Sequence, residues 1–252
     1  MSLWLVGGHD PTHGAGLFRD LSTAKQVAPE LPRRFAVTAL TEQGDGHPAR
    51  SRPVDAERLG RRLGRWPKVT AIKLGLVPDS LAATIAAWAK ASEAPVVLDP
   101  VLNATDGGAL GSTPDGLAPL LEVATLITPN LHEARALTDT QSDDGDEVAR
   151  ALARRFPETA VLLKGGHESD PELVTDRLVQ GTEFVSFRRP RVPGPDPRGT
   201  GCALATAIAA LLARGQRLEH ACRHAVQWLD VQRAAWIPGP DGRAHLSDCS
   251  RS

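Results

Sequence analysis

Short apolar runs alternate with segments of helical period along most of this chain. Leu3–Val6, Phe35–Leu40, Val69–Leu74, Pro95–Leu98, Ala124–Ile127 and Thr159–Leu163 read as strands buried on both faces. Between them, Leu17–Val27, Ala56–Leu63, Ser80–Ala91, Leu131–Leu137 and Val148–Arg155 carry the helical period. Strands that alternate with helices predict an α/β fold with a mostly parallel sheet covered on both sides. The stretch Glu172–Phe187 breaks this rhythm. Its two apolar-rich runs flank Gln180-Gly181 and predict a hairpin, a small antiparallel element. Two Ala-rich helices follow, over 200–213 and 217–236. No Gly/Ser linker or repeat divides the chain, so one domain over 1–252 is expected.

Composition narrows the partners. The 252 residues are 41% hydrophobic, and 29 Lys+Arg against 30 Asp+Glu leave a net charge of −1, so no basic field calls for nucleic acid or membrane. Arg58, Arg61, Arg62 and Arg65 sit at helical spacing and read as a solvated face. Cys202, Cys222 and Cys249 lack the close pairs of a zinc site and form an odd set for disulfides, which suits a reducing cytoplasm. The start, Met1 to Val6, lacks the basic region of a signal peptide, and the apolar helix at 202–213 is too short to span a bilayer.

Chemistry concentrates where the strands end, as expected for ligands bound at the carboxyl edge of a parallel sheet. Gly7–Gly16 follows the first strand, and the next helix bears Asp20. Asp99-Pro100-Val101, Thr128–Glu133 and Lys164–His167 follow later strands. Each has a plain structural use: Asp99 suits a turn, Asn130 with Glu133 suits a capping box, and Lys164 suits a solvated surface. The most telling segment is Arg198-Gly199-Thr200-Gly201-Cys202, a glycine turn that opens a helix. Glycines let consecutive N–H groups converge on an anion at the positive end of the helix. Cys202 falls on the first turn, where a thiolate is favoured, so a lowered thiol pKa is expected. Other motifs fail. There is no G-x-x-x-x-G-K-[ST], His132-Glu133 lacks the second histidine of a zincin, and Leu204 stands where a dinucleotide fingerprint wants Gly or Ala.

Taken in order, Gly7–Thr23, Ala71–Gly75, Asp99–Val101, Thr128–Glu133, Lys164–His167 and Gly199–Cys202 resemble the hydroxymethylpyrimidine/phosphomethylpyrimidine kinases of thiamine biosynthesis, in the ribokinase-like superfamily. The resemblance runs from about residue 3 to residue 235. It implies a three-layer α/β/α fold, ATP and Mg²⁺, a homodimer, and two successive phosphoryl transfers. The first goes onto a hydroxymethyl oxygen and the second onto the resulting monophosphate. On this resemblance Cys202 is the activating residue and Gly199, Thr200 and Gly201 line the anion hole, with Lys164 on the ATP phosphates. Asn130 and Glu133 organise Mg²⁺ through water with Asp99 nearby. Asp20 and Gln43 read the pyrimidine, and Gly8, Leu76 and Val101 wall its pocket, Leu76 standing where the family more often has Met. His9 and His13 replace small residues and are expected to narrow the pocket; Arg198 replaces the usual His and Ala203 the usual Thr. Arg198 is expected to offer donors to phosphate. Two alternatives stand beside this reading: a pyridoxal or pyridoxine-type kinase, and a catalytically weak pyrimidine-binding sensor. Asp20 and Gln43 favour the aminopyrimidine, and Lys164, Asn130, Glu133 and Cys202 speak against a sensor.

Overall fold

The computed structural model describes residues 1–42, 49–103, 108, 110–167 and 170–247, with the side chain of His167 excepted. The parallel strands are β1 (Leu3–His9), β2 (Arg33–Glu42), β4 (Ala71–Leu74), β5 (Val96–Leu98), β6 (Leu126–Ile127) and β7 (Ala160–Leu163). Three antiparallel strands complete the sheet: β3 (Arg50–Pro53) beside β2, then β8 (Leu173–Gln180) and β9 (Glu183–Pro190) beyond β7. Its order is β3-β2-β1-β4-β5-β6-β7-β8-β9. A second pairing joins β10 (Ile237–Pro238) to β11 (Ala244–His245). The Gln180-Gly181 hairpin forms as the sequence predicts, with Gly181 at φ 57°.

Helices cover both faces and give the three-layer α/β/α arrangement. α2 (Ala56–Leu63), α3 (Asp79–Ala91), α4 (Ala118–Leu121), α5 (Leu131–Thr138) and α6 (Gly145–Arg155) share one core with Ile72, Leu74 and Leu98. α1 (Gly16–Val27), α7 (Thr200–Ala213) and α8 (Leu218–Ala234) share the other with Leu3, Leu5 and Ala71. Side chains capture backbone N–H groups at several helix starts, Asp55 for α2, Asn130 for α5 and Asp144 for α6. α7 lies deepest, with ten of its residues buried, seven of them Ala or Thr. Small side chains let it pack closely against β1, β4 and β5 between α1 and α8.

This layering positions the cleft. From β1 the chain moves first to β2 and later returns to the other side at β4, so a topological switch lies between β1 and β4. The period of two along β4 sends Ile72 and Leu74 into one core and turns Lys73 with Ala71 toward α1 and α7. Some elements were not foreseen. β3 carries Arg50, Ser51, Arg52 and Pro53, mostly exposed, and no apolar alternation marks it; α4 is a single turn. Among the described residues no helix is long and apolar enough to cross a membrane. The arginines at 58, 61, 62 and 65 are exposed, as their spacing suggests.

Candidate active site

A cavity of about 700 Å³ opens at the carboxyl ends of β1, β4, β5, β6 and β7. At its centre is the turn that opens α7. Gly199 adopts φ 79° as the residue before the helix, and a Cβ there would collide with the Gly14 carbonyl. A Cβ at Gly201 would stand 3.1 Å from Lys164 Nζ and 3.6 Å from Asp99. Gly201 thus keeps bare backbone in front of a lysine and a carboxylate. The N–H groups of a helix start together with that lysine make a place for an anion.

Lys164 follows β7 and bridges Asn130, the residue that opens α5. Its Nζ lies 3.0 Å from Asp99 Oδ1 and 3.7 Å from Glu133 Oε2. Burial opposes the ammonium, but Asp99 and Glu133 hold its pKa above the ordinary lysine value. Burial likewise works against the Asp99 carboxylate, and Lys164 and Lys73 outweigh it, so Asp99 titrates below its usual range. Asn130 and Glu133 do form the reciprocal capping box: Asn130 N–H donates to Glu133 Oε2 at 2.8 Å, and Glu133 N–H to Asn130 Oδ1 at 2.9 Å. Both also line the cavity, so the plain and the functional uses coincide in the same residues. Burial pushes the Glu133 carboxyl up to about 7, with Lys164 pulling it down and Asp99 pushing it further up.

At the other end Gly8 and Leu76 face each other; a Cβ on Gly8 would come within 2.8 Å of Leu76 Cδ2. Leu76, Val101 and Leu110 make an apolar wall with Ala39 and Ala49. Asp20 reaches this cavity from α1, but its oxygens are already engaged. Lys73 Nζ donates to both at 2.8 Å, and Thr206 Oγ1 donates to Oδ1 at 2.8 Å. Burial works against the Lys73 ammonium, yet Asp20, with Cys202 and Asp99 behind it, holds its pKa above the ordinary value. Lys73 and Thr206 are the partners that motif reading missed. The break in the apolar run at Lys73 was the available signal, since an unpaired lysine does not lie in a buried strand. Gln43 lies outside the described residues.

Two expectations are corrected. The thiol of Cys202 does not titrate low: burial pushes it up to about 12, the carboxylates of Asp99 and Asp20 push the same way, and Lys73 and the Gly16 N–H oppose them. Desolvation and like charge overcome the helix end, so a neutral thiol stands here at pH 7, hydrogen-bonded to Asp99. Nor does Arg198 offer its guanidinium to a phosphate, because it is buried in ion pairs with Asp10 and Asp241. His9 lines the cavity, whereas His13 turns aside and stacks on Phe18 with 4.3 Å between ring centres. Ala203 is fully buried. Cys222 is a free buried thiol, and Cys249 lies outside the described residues.

A family model described as phosphomethylpyrimidine kinase matches residues 10–237, stopping short of β11. A hydroxymethylpyrimidine/phosphomethylpyrimidine kinase of Streptomyces coelicolor is 34% identical over 245 residues, 92% of this chain and 88% of that protein. The thiamine biosynthesis bifunctional protein ThiED of Geobacter sulfurreducens is 32% identical, over 97% of this chain and 51% of that protein. Among solved structures, pyridoxal kinase from Staphylococcus aureus in complex with ADP superposes with a TM-score of 0.85 at 24% identity, covering 98% of this chain and 92% of that one. At such identity the likeness concerns the fold alone, which is ribokinase-like.

Two outcomes follow from the buried charges. Lys73→Met leaves Asp20 uncompensated and should destabilise the protein by about 3–5 kcal/mol, with Lys73→Met/Asp20→Asn recovering much of the loss. Urea unfolding of both variants checks this, and equal losses would refute the pairing. Glu133, raised from 4.5 to about 7, binds a proton in the folded state that the unfolded chain has released. Its stabilising contribution is therefore intact at pH below 4.5 and lost as pH rises through about 7. Across that window Glu133→Gln should gain in Tm relative to the parent as pH rises. A difference that stays constant with pH would contradict the assignment.

Proposed function

The chain belongs to the phosphomethylpyrimidine kinase family and is a phosphotransferase, and from that membership and the cleft we propose its substrates and the roles of its residues. ATP phosphorylates 4-amino-5-hydroxymethyl-2-methylpyrimidine and then its monophosphate, giving the diphosphate used in thiamine biosynthesis. The observation that carries this reading is the convergence on Gly201, where bare backbone at the start of α7 faces Lys164 and Asp99. Phosphoryl transfer depends mainly on positioning and charge stabilisation, and this is an arrangement for both.

In this reading the γ-phosphoryl group rests on the N–H groups of Gly199–Cys202, and Lys164 neutralises its charge. The cleft continues past Gly166 and Val174 toward Arg189 and Arg233, which leaves room for the rest of the nucleotide. The pyrimidine lies between Gly8, Leu76 and Val101, its polar edge toward Asp20, with Gln43 assigned the same task from sequence. Burial raises the Asp20 carboxyl above its usual range against the pull of Lys73 and Thr206, whose hydrogen bonds hold the side chain in place. Asp99, Asn130 and Glu133 suit a Mg²⁺ that arrives with the nucleotide and is held through water. Lys164 already pairs with Asp99 and, at longer range, with Glu133, and no cluster of three or more His, Cys, Asp or Glu suited to a resident ion occurs among the described residues. Mg²⁺ bound there neutralises charge on the phosphates. A single domain over 1–252, a homodimer and a cytoplasmic location come to this reading from sequence.

Cys202 acts as a neutral relay. Its sulfur accepts the alcohol proton as its own proton passes to Asp99, so the thiol is neutral before and after transfer. The phosphomonoester acceptor of the second step is already largely ionised at neutral pH, its second pKa being about 6, and needs no such relay.

ATP-dependent turnover of the pyrimidine tests the function directly. Preference over pyridoxal of roughly 10²-fold or more in kcat/KM is expected, because Asp20 Oδ2, which accepts one bond from Lys73, has a lone pair left for the amino group that pyridoxal lacks. Lys164→Ala should lower kcat by about 10²-fold or more with the fold intact. Comparable efficiency on pyridoxal would transfer the assignment to that substrate. For Cys202→Ala, single-turnover transfer to the alcohol should slow by about 10²-fold and transfer to the monophosphate far less. Equal losses on both acceptors would mean that the thiol serves packing.

A further inference from the structure

A buried ionic chain stands beside the cradle and takes no part in the chemistry above. Arg198 Nη2 donates to Asp10 Oδ2 at 3.0 Å, Arg198 Nη1 lies 3.5 Å from Asp241 Oδ2, and His245 Nε2 meets Asp241 Oδ1 at 2.8 Å. These side chains are only 3% to 7% exposed. Asp10 organises the first loop, accepting from Thr12 N–H at 2.9 Å and from the N–H of Ala15, which opens α1, at 3.0 Å. Asp241 and His245 belong to the β10–β11 hairpin, whose second strand lies outside the family match. Arg198 immediately precedes Gly199, and its N–H donates to the Ala244 carbonyl at 2.8 Å.

Packing ties the same segments together. A Cβ on Gly14 would come within 2.7 Å of His245 Cε1 and 3.1 Å of Arg198 Nε, and one on Gly239 would collide with the His245 ring. Arg19, buried in α1, donates to the Leu246 carbonyl at 2.8 Å. The guanidinium that enters the glycine turn is therefore clamped between a carboxylate of the first loop and one of the hairpin. It cannot shift without breaking two desolvated ion pairs.

We propose that the C-terminal hairpin is a working part of the cradle, with Arg198 the positioning residue through which Asp241 and His245 hold the Gly199–Cys202 turn against the 10–15 loop. This rests on reading that turn as the phosphoryl cradle. Donors aimed at developing charge act through their fixed placement, and a displacement of about 1 Å can cost about 10²-fold in rate. Loosening the hairpin should therefore lower kcat while leaving both KM values nearly unchanged.

The test uses the full chain with Asp241→Asn, which weakens both pairs, and Gly239→Ala, which keeps every charge and displaces the His245 ring. Hydrogen exchange without nucleotide should quicken about 10-fold over 10–16 and 198–203 and stay unchanged in β4 to β7. Steady-state kinetics on ATP and the pyrimidine should give kcat about 10- to 100-fold lower, with KM within about threefold. Arg198→Lys should retain more kcat than Arg198→Met; if the Met variant does not fold, the hairpin variants decide. Parental exchange over 198–203, or a lower Tm with parental kcat, would overturn the proposal. A parent chain that does not turn over the pyrimidine would refute the function, and the exchange measurement would still decide the role of the hairpin.

Discussion

Charge compensation inside a desolvated cleft is the constraint on which this site depends. The strand ends and α1 bring Asp20, Asp99 and Glu133 into one cavity, and each carboxylate there must meet a cation or take a proton. Lys73 answers Asp20 from the strand beside it, and Lys164 lies between Asp99 and Glu133. Two ammonium groups face three carboxylates. Part of the excess falls on Glu133, whose carboxyl titrates at about 7, and burial raises the Asp20 carboxyl above its usual range as well. The Cys202 thiol, raised to about 12 in the same surroundings, adds no further anion. The cleft without ligand is close to neutral at physiological pH, although it is lined with ionisable groups.

The glycine turn imposes a steric constraint of equal weight. A left-handed Gly199, bare of the Cβ that would collide with the Gly14 carbonyl, lets the start of α7 lie against the loop before α1. Such an approach requires that α7 itself sit close to the sheet. Its run of alanines meets that requirement, with Thr206 as the polar exception that reaches Asp20. The apolar helix and the polar site are one packing problem, because the small residues that bury α7 also bring its first turn to the strand ends.

Much of this was legible in the sequence. Each apolar run became a parallel strand within a few residues of its expected limits, and the Gln180-Gly181 hairpin formed where expected. Those segments carry their own periodicity or turn chemistry. β3, α4 and the β10–β11 pair were not legible: they are short, and pairing across the fold decides them more than pattern does. The site divides in the same way. Asp99, Asn130, Glu133, Lys164 and Cys202 could be found because each follows a strand or opens a helix. The long-range ion pairs around them could not, since Lys73 meets Asp20 across 53 positions and Arg198 meets Asp10 across 188. Cys202 shows the limit most clearly. Its place at a helix start was readable, but the desolvation around the half-buried thiol and the two carboxylates beside it are products of the fold, and they reverse the direction of its pKa.

Lys164 is where the two constraints meet. In the cleft without ligand its ammonium serves Asp99 closely and Glu133 at longer range. An anion resting at Gly201 would stand within reach of the same nitrogen, because even a Cβ there falls 3.1 Å from it. The lysine has three protons to donate and cannot hold three anions at full strength. The partner it yields most readily is Glu133, which is farther away and has the Asn130 N–H to hold it. Charged or protonated, Glu133 keeps its hold on the start of α5, because either form has an oxygen to accept from the Asn130 N–H. The capping box thus lets one carboxyl change its charge without moving, and the cleft can receive an anion without rearranging the helix that borders it.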